Sequence, residues 1–115
     1  MSIVIYHNPR CSKSRQTLEL LREQGIEPEQ KTYLTDPPSR DELVHVLDLL
    51  GMQPRDLMRK GQKEYKASGL DNPELSRDQL IDAMLAQPVL IERPIVINGD
   101  RAALGRPPEQ VLEIL

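Results

Sequence analysis

The chain of 115 residues is sized for one domain around a single core, and with no Phe, no Trp and three Tyr that core must be aliphatic. A net charge of -3 and the scarcity of aromatic stacking surfaces argue against nucleic acid as the main partner. No apolar run approaches the ~20 residues of a membrane span, nothing at the N-terminus resembles a signal peptide, and one cysteine cannot form an internal disulfide, which together point to a soluble protein of a reducing cytoplasm.

The apolar run Ile3-Val4-Ile5-Tyr6 reads as a buried strand, and residues 12–24 as a helix that Gly25 ends. Gln30 to Leu34 is predicted as a second strand, followed by a loop at Thr35-Asp36-Pro37-Pro38, where consecutive prolines stop regular structure. Ser39-Arg40-Asp41-Glu42 has the spacing of a capping box, and Leu43, Val46, Leu47 and Leu50 form the apolar stripe of the helix it opens, closed by Gly51. A short helix near Pro54 to Lys60 and a polar stretch through Gly69 come next. Ser76-Arg77-Asp78-Gln79 repeats the capping box ahead of Leu80, Ile81, Met84 and Leu85, in a helix that should end before Pro88. Pro94 to Ile97 is a strand, Asn98-Gly99 signals a hairpin into Arg101-Ala102-Ala103-Leu104, and Pro107 or Pro108 starts a last helix with Val111, Leu112, Ile114 and Leu115. The order βαβ, helices, then ββα predicts an α/β fold with a mixed sheet and a helical insertion at about 39–87, in one domain over 1–115.

Cys11 is the chemically informative residue. It falls on a strand-to-helix turn in His7-Asn8-Pro9-Arg10-Cys11-Ser12-Lys13-Ser14-Arg15, with three basic side chains nearby and no carboxylate before Glu19. The helix N-terminus and these charges favour thiolate over thiol. A lone cysteine can also be a small buried hydrophobe, but such a residue belongs in an apolar period, whereas the neighbours of Cys11 are Arg, Ser and Lys. The reading is therefore a reactive thiolate whose partner is an anion. Backbone N–H groups of residues 12 to 15 can form an anion nest at the helix start, and arginines are the natural supplement. Arg59, Arg93 and Arg106 stand out by position: the latter two lie at strand ends, where sites of α/β sheets gather.

Two related chemistries are excluded by spacing. A Cys-x5-Arg phosphatase loop needs arginine at position 17, which is Thr17, and a Cys-x-x-Cys dithiol needs cysteine at position 14, which is Ser14. The site is monothiol and needs an external thiol to complete any redox cycle. His7 can hydrogen-bond within the Cys11 loop; with two histidines and one cysteine in the chain, no metal site is expected.

The run HNPRCSKSR resembles the His-x3-Cys-x3-Arg motif of the ArsC family, the glutathione- and glutaredoxin-coupled arsenate reductases. The resemblance extends through TYLTDPPSRDEL, LMRKG, LSRDQLIDAML, LIERPIVINGD and LGRPPEQVLEIL, nearly the whole chain. It implies a thioredoxin-like fold with a helical insertion and a cis peptide at Arg93-Pro94. It also implies Cys11 as nucleophile with His7 and Arg15 in the catalytic motif. Arg59, Arg93 and Arg106 would bind the oxyanion; Ser12 and Ser14 are candidate contacts beside them on a separate ground, as residues of the backbone nest at the helix start. Arsenate or a similar oxyanion, glutathione as co-substrate and glutaredoxin are the implied partners, with no bound cofactor and no metal. The chain departs in having Arg10 and Ser12 beside the nucleophile, where arsenate reductases of this type tend to have smaller residues, and in lacking the C-terminal segment of longer members. Two other functions fit the same resemblance: a monothiol oxidoreductase acting on another oxyanion or on glutathione mixed disulfides, and an Spx-like module that binds RNA polymerase.

Overall fold

A computed structural model describes residues 3–115, which form two compact units. One consists of the chain up to Asp36 together with Arg93–Leu115, and the other of Pro37–Glu92.

The first unit is built on a four-stranded mixed sheet in the order β2-β1-β3-β4, with β1 at Ile3–Tyr6, β2 at Glu29–Lys31, β3 at Ile95–Asn98 and β4 at Arg101–Leu104. β1 pairs parallel with β2, and the helix α1 at Ser12–Glu23 makes the crossover between them. β3 pairs antiparallel with β1 and with β4, placing Ile5 opposite Val96 and Val96 opposite Ala103. Because alternate side chains share a face, these residues form one apolar layer, packed with Leu18 and Leu21 of α1 and with Val111 and Ile114 near the C-terminus. Gly25, at φ 78, closes α1 through Gly25 N–H to Arg22 O and Ile26 N–H to Leu21 O, the paired bonds of a Schellman motif.

Three details differ from the sequence expectation. β2 stops at Lys31 rather than running to Leu34, because the chain turns at Thr32, whose carbonyl accepts both Thr35 N–H and Asp36 N–H. The hairpin loop is Gly99-Asp100, flanked by the Asn98–Arg101 pair, and Gly99 at φ 63 supplies the positive φ that a two-residue turn needs. The last helix, Pro108–Ile114, is 3-10 rather than α. Its buried residues Pro108, Val111 and Ile114 recur every third position, matching three residues per turn.

The second unit holds α2 (Arg40–Leu50), a 3-10 turn at Pro54–Leu57, α3 (Lys63–Ala67), α4 (Arg77–Ala86) and a 3-10 turn at Pro88–Leu90. Both expected capping boxes are present, Ser39 with Glu42 and Ser76 with Gln79. Leu43, Val46, Leu47, Leu80, Ile81 and Met84 supply the buried faces of the two longer helices, and Arg40 clamps them by pairing with Asp78 and Asp82. The short helix expected near Pro54 to Lys60 is the 3-10 turn ending at Leu57. α3 lies in the stretch read as polar; it buries only Tyr65, whose hydroxyl accepts from Arg55 at 2.6 Å, so no apolar period marks it. No helix of the described residues is long and apolar enough to cross a membrane.

Candidate active site

Cys11 is the N-cap of α1, in extended conformation (φ -94, ψ 124) and with no side-chain capping bond. The turn before it is tied by Cys11 N–H to Asn8 O at 3.0 Å and by Arg10 N–H to Asn8 Oδ1 at 3.0 Å. Its side chain is largely covered, with 8% of the residue exposed. Burial pushes the thiol pKa up, but the backbone N–H groups of Ser14 and Lys13, which face the sulfur short of full capping geometry, and the charges of Arg93 and Arg106 outweigh it, so the thiol lies below its ordinary value. The expected direction holds and the start of the helix acts as expected through its backbone N–H groups, but the side-chain charges are different ones. The acting guanidinium charges come from the ends of β3 and β4, not from Arg10 and Arg15, and Lys13 contributes through its backbone rather than its ammonium.

Arg106 Nη2 stands 4.0 Å from Cys11 Sγ, and its Nε donates to the Arg93 carbonyl at 2.7 Å, which links the two arginines. The Arg93-Pro94 peptide is cis, as expected from the resemblance, and so is Arg106-Pro107, which was not foreseen. Arg15 holds the loop through Nη1 to Pro9 O at 2.9 Å. Ser12 is exposed at the first position of α1. Arg59 belongs to the second unit, where its N–H donates to Leu90 O at 2.7 Å and its Nε lies 4.0 Å from Glu92 Oε1. The first unit thus brings Cys11, Arg93 and Arg106 together, with His7, Ser14 and Arg15 supporting the same loop.

His7 is buried, and its Nδ1 lies 2.6 Å from Ser14 Oγ, which also accepts the Asn8 N–H at 3.1 Å. Burial, then the charges of Arg22 and Arg15, lower its pKa, so the imidazole is neutral at neutral pH. With the Ser14 hydroxyl accepting from Asn8, its own proton is available for His7 Nδ1. The histidine therefore braces the nucleophile loop rather than adding a charge to it. Ser14 is the hub of this bracing, a role that its position two residues inside a helix did not advertise. Among the described residues, no group of three or more His, Cys, Asp or Glu side chains is placed to hold a metal ion.

This electrostatic arrangement makes a direct expectation for thiol chemistry. Alkylation of Cys11 should show a pH inflection below the ~8.5 of a free thiol. Arg93→Ala and Arg106→Ala should each raise that inflection, whereas Arg10→Ala should leave it in place. An inflection at the free-thiol value, or one that follows Arg10 instead, would contradict this assignment.

The chain is similar to proteins already described as arsenate reductases. It is 52% identical to an arsenate reductase of Haemophilus influenzae over the full length of both chains. It is 48% identical to an arsenate reductase of Escherichia coli K12, covering 99% of this chain and 81% of that one. The solved structure of an arsenate reductase from Vibrio cholerae superposes with a TM-score of 0.97 at 52% identity, covering 100% and 98% of the two chains. The ArsC family model matches residues 6–114. With its mixed sheet, the Cys11 turn opening α1 and this likeness, the chain has the thioredoxin-like fold and belongs to the ArsC family.

Proposed function

We propose that the protein is an arsenate reductase that uses Cys11 as nucleophile and draws its electrons from glutathione and glutaredoxin. The observation that carries this reading is the lowered Cys11 thiol at the start of α1, with Arg106 at 4.0 Å from its sulfur and Arg93 bonded to Arg106. A thiolate flanked by two guanidinium groups suits an attack on a tetrahedral oxyanion, because the arginines offset the charge of the incoming group. The likeness to arsenate reductases at about half identity supplies the substrate. For Arg59 the assignment rests on the family resemblance; Ser12 and Ser14 would contact the anion through their backbone N–H groups at the start of α1.

In the proposed sequence, the Cys11 thiolate attacks arsenic and one arsenate oxygen leaves as water after taking up two protons. A glutathione thiolate then bonds to arsenic and displaces a second oxygen, again as water. A glutaredoxin thiolate attacks the glutathione sulfur, forming a glutaredoxin–glutathione disulfide. The electron pair of the sulfur–arsenic bond passes to arsenic, reducing As(V) to As(III). Hydrolysis of the remaining Cys11–arsenic bond releases arsenite and restores the thiol. Two electrons leave two external thiols, as required of a chain with one cysteine.

The test is arsenite formation by purified protein supplied with arsenate, glutathione and a panel of glutaredoxins. Turnover should require all three additions. No arsenite above the protein-free rate, in a sample whose Cys11 still alkylates with a low inflection, would overturn the assignment. It would favour a monothiol oxidoreductase acting on glutathione mixed disulfides.

A further inference from the structure

Gly105 is buried between Leu104, the last residue of β4, and Arg106. It is not among the glycines with positive φ, so conformational freedom does not explain it. Space does. A Cβ at this position would stand 2.5 Å from Thr17 Oγ1, 2.7 Å from Pro94 Cγ and 3.1 Å from Thr17 Cγ2. Neither neighbour yields easily. Thr17 is fully buried, and its hydroxyl donates to Lys13 O at 2.8 Å, inside the first turns of α1. Pro94 is a buried ring whose carbonyl accepts the Gly105 N–H at 2.9 Å.

These contacts join the three segments that carry the thiol and its two arginines. Thr17 is on the helix that Cys11 caps, Pro94 follows Arg93, and Gly105 precedes Arg106. We propose that Gly105 is a positioning residue: its missing side chain lets the end of β4 close onto Thr17 and Pro94, and that approach sets Arg106 and Arg93 at the Cys11 sulfur. A Cβ there overlaps atoms that cannot move independently, so the end of β4 must retreat from α1 and take Arg106 with it. Coulomb attraction falls with distance, and the retreat opens a gap that water can enter, weakening it further. The proposal rests on the reading of Cys11 as nucleophile, but it concerns the thiol itself and can be tested without arsenate.

The measurement is the pH dependence of Cys11 alkylation by iodoacetamide, a neutral probe. The groups that set it are the Ser14 and Lys13 backbone N–H groups on α1, Arg93 ahead of β3 and Arg106 after β4. Gly105→Ala is expected to raise the inflection by about one unit, with up to a tenfold slower reaction at neutral pH. Gly61→Ala serves as the control, because an added Cβ there meets nothing within 4 Å. In Thr17→Ala/Gly105→Ala the two contacts with Thr17 are relieved and the one with Pro94 remains, so its inflection should lie between those of Gly105→Ala and Thr17→Ala. An unchanged inflection in folded Gly105→Ala overturns the proposal. Should that variant not fold, the double variant titrating together with Thr17→Ala alone overturns it equally. Absence of arsenate reduction by the unaltered protein, with the alkylation shifts intact, would instead count against the arsenate assignment, and leave Gly105 as the spacer that sets the thiol.

Discussion

Cys11→Ser is expected to lose arsenate reduction entirely while melting at the same temperature as the parent protein or above it. The loss follows from the chemistry: a serine hydroxyl stays protonated at neutral pH and cannot act as a soft nucleophile toward arsenic. Removal of a nucleophile commonly costs on the order of 10⁴–10⁶ in turnover. The gain in stability follows from local structure. Cys11 occupies the N-cap of α1 with extended backbone and no side-chain capping bond, and serine is among the preferred residues for that position. A serine hydroxyl there can accept from the Ser14 N–H, the same donor that now lowers the thiol pKa. Such a cap is worth about 1 kcal/mol, so the variant should be a dead enzyme with a helix at least as stable. Arsenite assays together with thermal melts check both halves. Residual turnover above background, or a clear fall in Tm, would sink the argument that this position exchanges helix capping for thiolate chemistry.

Much of this site is visible in the sequence because its signals are local. A cysteine at a strand-to-helix turn with no carboxylate before Glu19 announces an anionic thiol, and both serine capping boxes form as their spacing predicts. The charges that act on the sulfur were readable only in part: Arg93 and Arg106 stand out at strand ends, but that they act on the thiol in place of nearer basic residues is not a local signal. Lys13 and Arg15 look suitable because they are near in sequence, but their side chains are exposed, and Arg15 turns back to Pro9 O. Arg93 and Arg106 reach the thiol only because β3 lies beside β1 and β4 beside β3, a pairing across some ninety residues that no window of sequence contains. Thr17 was informative only as a residue that rules out a phosphatase loop; its second role, as the wall against Gly105, needs the folded chain. α3 was missed for a different reason, since one buried tyrosine in five residues makes no period. The 3-10 form of the last helix was not legible: Val111, Leu112, Ile114 and Leu115 are all apolar, and only the fold shows that burial recurs at Pro108, Val111 and Ile114.

The arginine prediction separates the two guanidinium groups that the first unit brings to the sulfur. Arg106→Ala and Arg93→Ala should each lower arsenate turnover by about 10²–10³, the usual cost of removing one preorganised donor to a developing anion. The effects should not be equal. Arg106 is anchored on the backbone carbonyl of Arg93, so Arg93→Ala leaves that anchor standing and removes one charge. Arg106→Ala removes the guanidinium at 4.0 Å from Sγ and also strips the Arg93 carbonyl of its donor. It should therefore be the more damaging of the two. Lysine at either position should restore only part of the rate, because an ammonium keeps the charge but loses the planar fork that grips an oxyanion with two bonds. At position 106 it would also have to choose between the Arg93 carbonyl and the anion. Arg77→Ala is the surface control: its guanidinium lies 3.9 Å from Asp48 on an exposed helix face, and exposed pairs of that kind contribute little. Arg59→Ala, assigned by resemblance, should fall with the first group. Steady-state arsenite formation across this set decides the matter. If Arg77→Ala costs as much as Arg106→Ala, the chosen arginines have no special relation to the thiol. If Arg106→Lys is fully active, positive charge alone suffices and the bidentate reading is wrong.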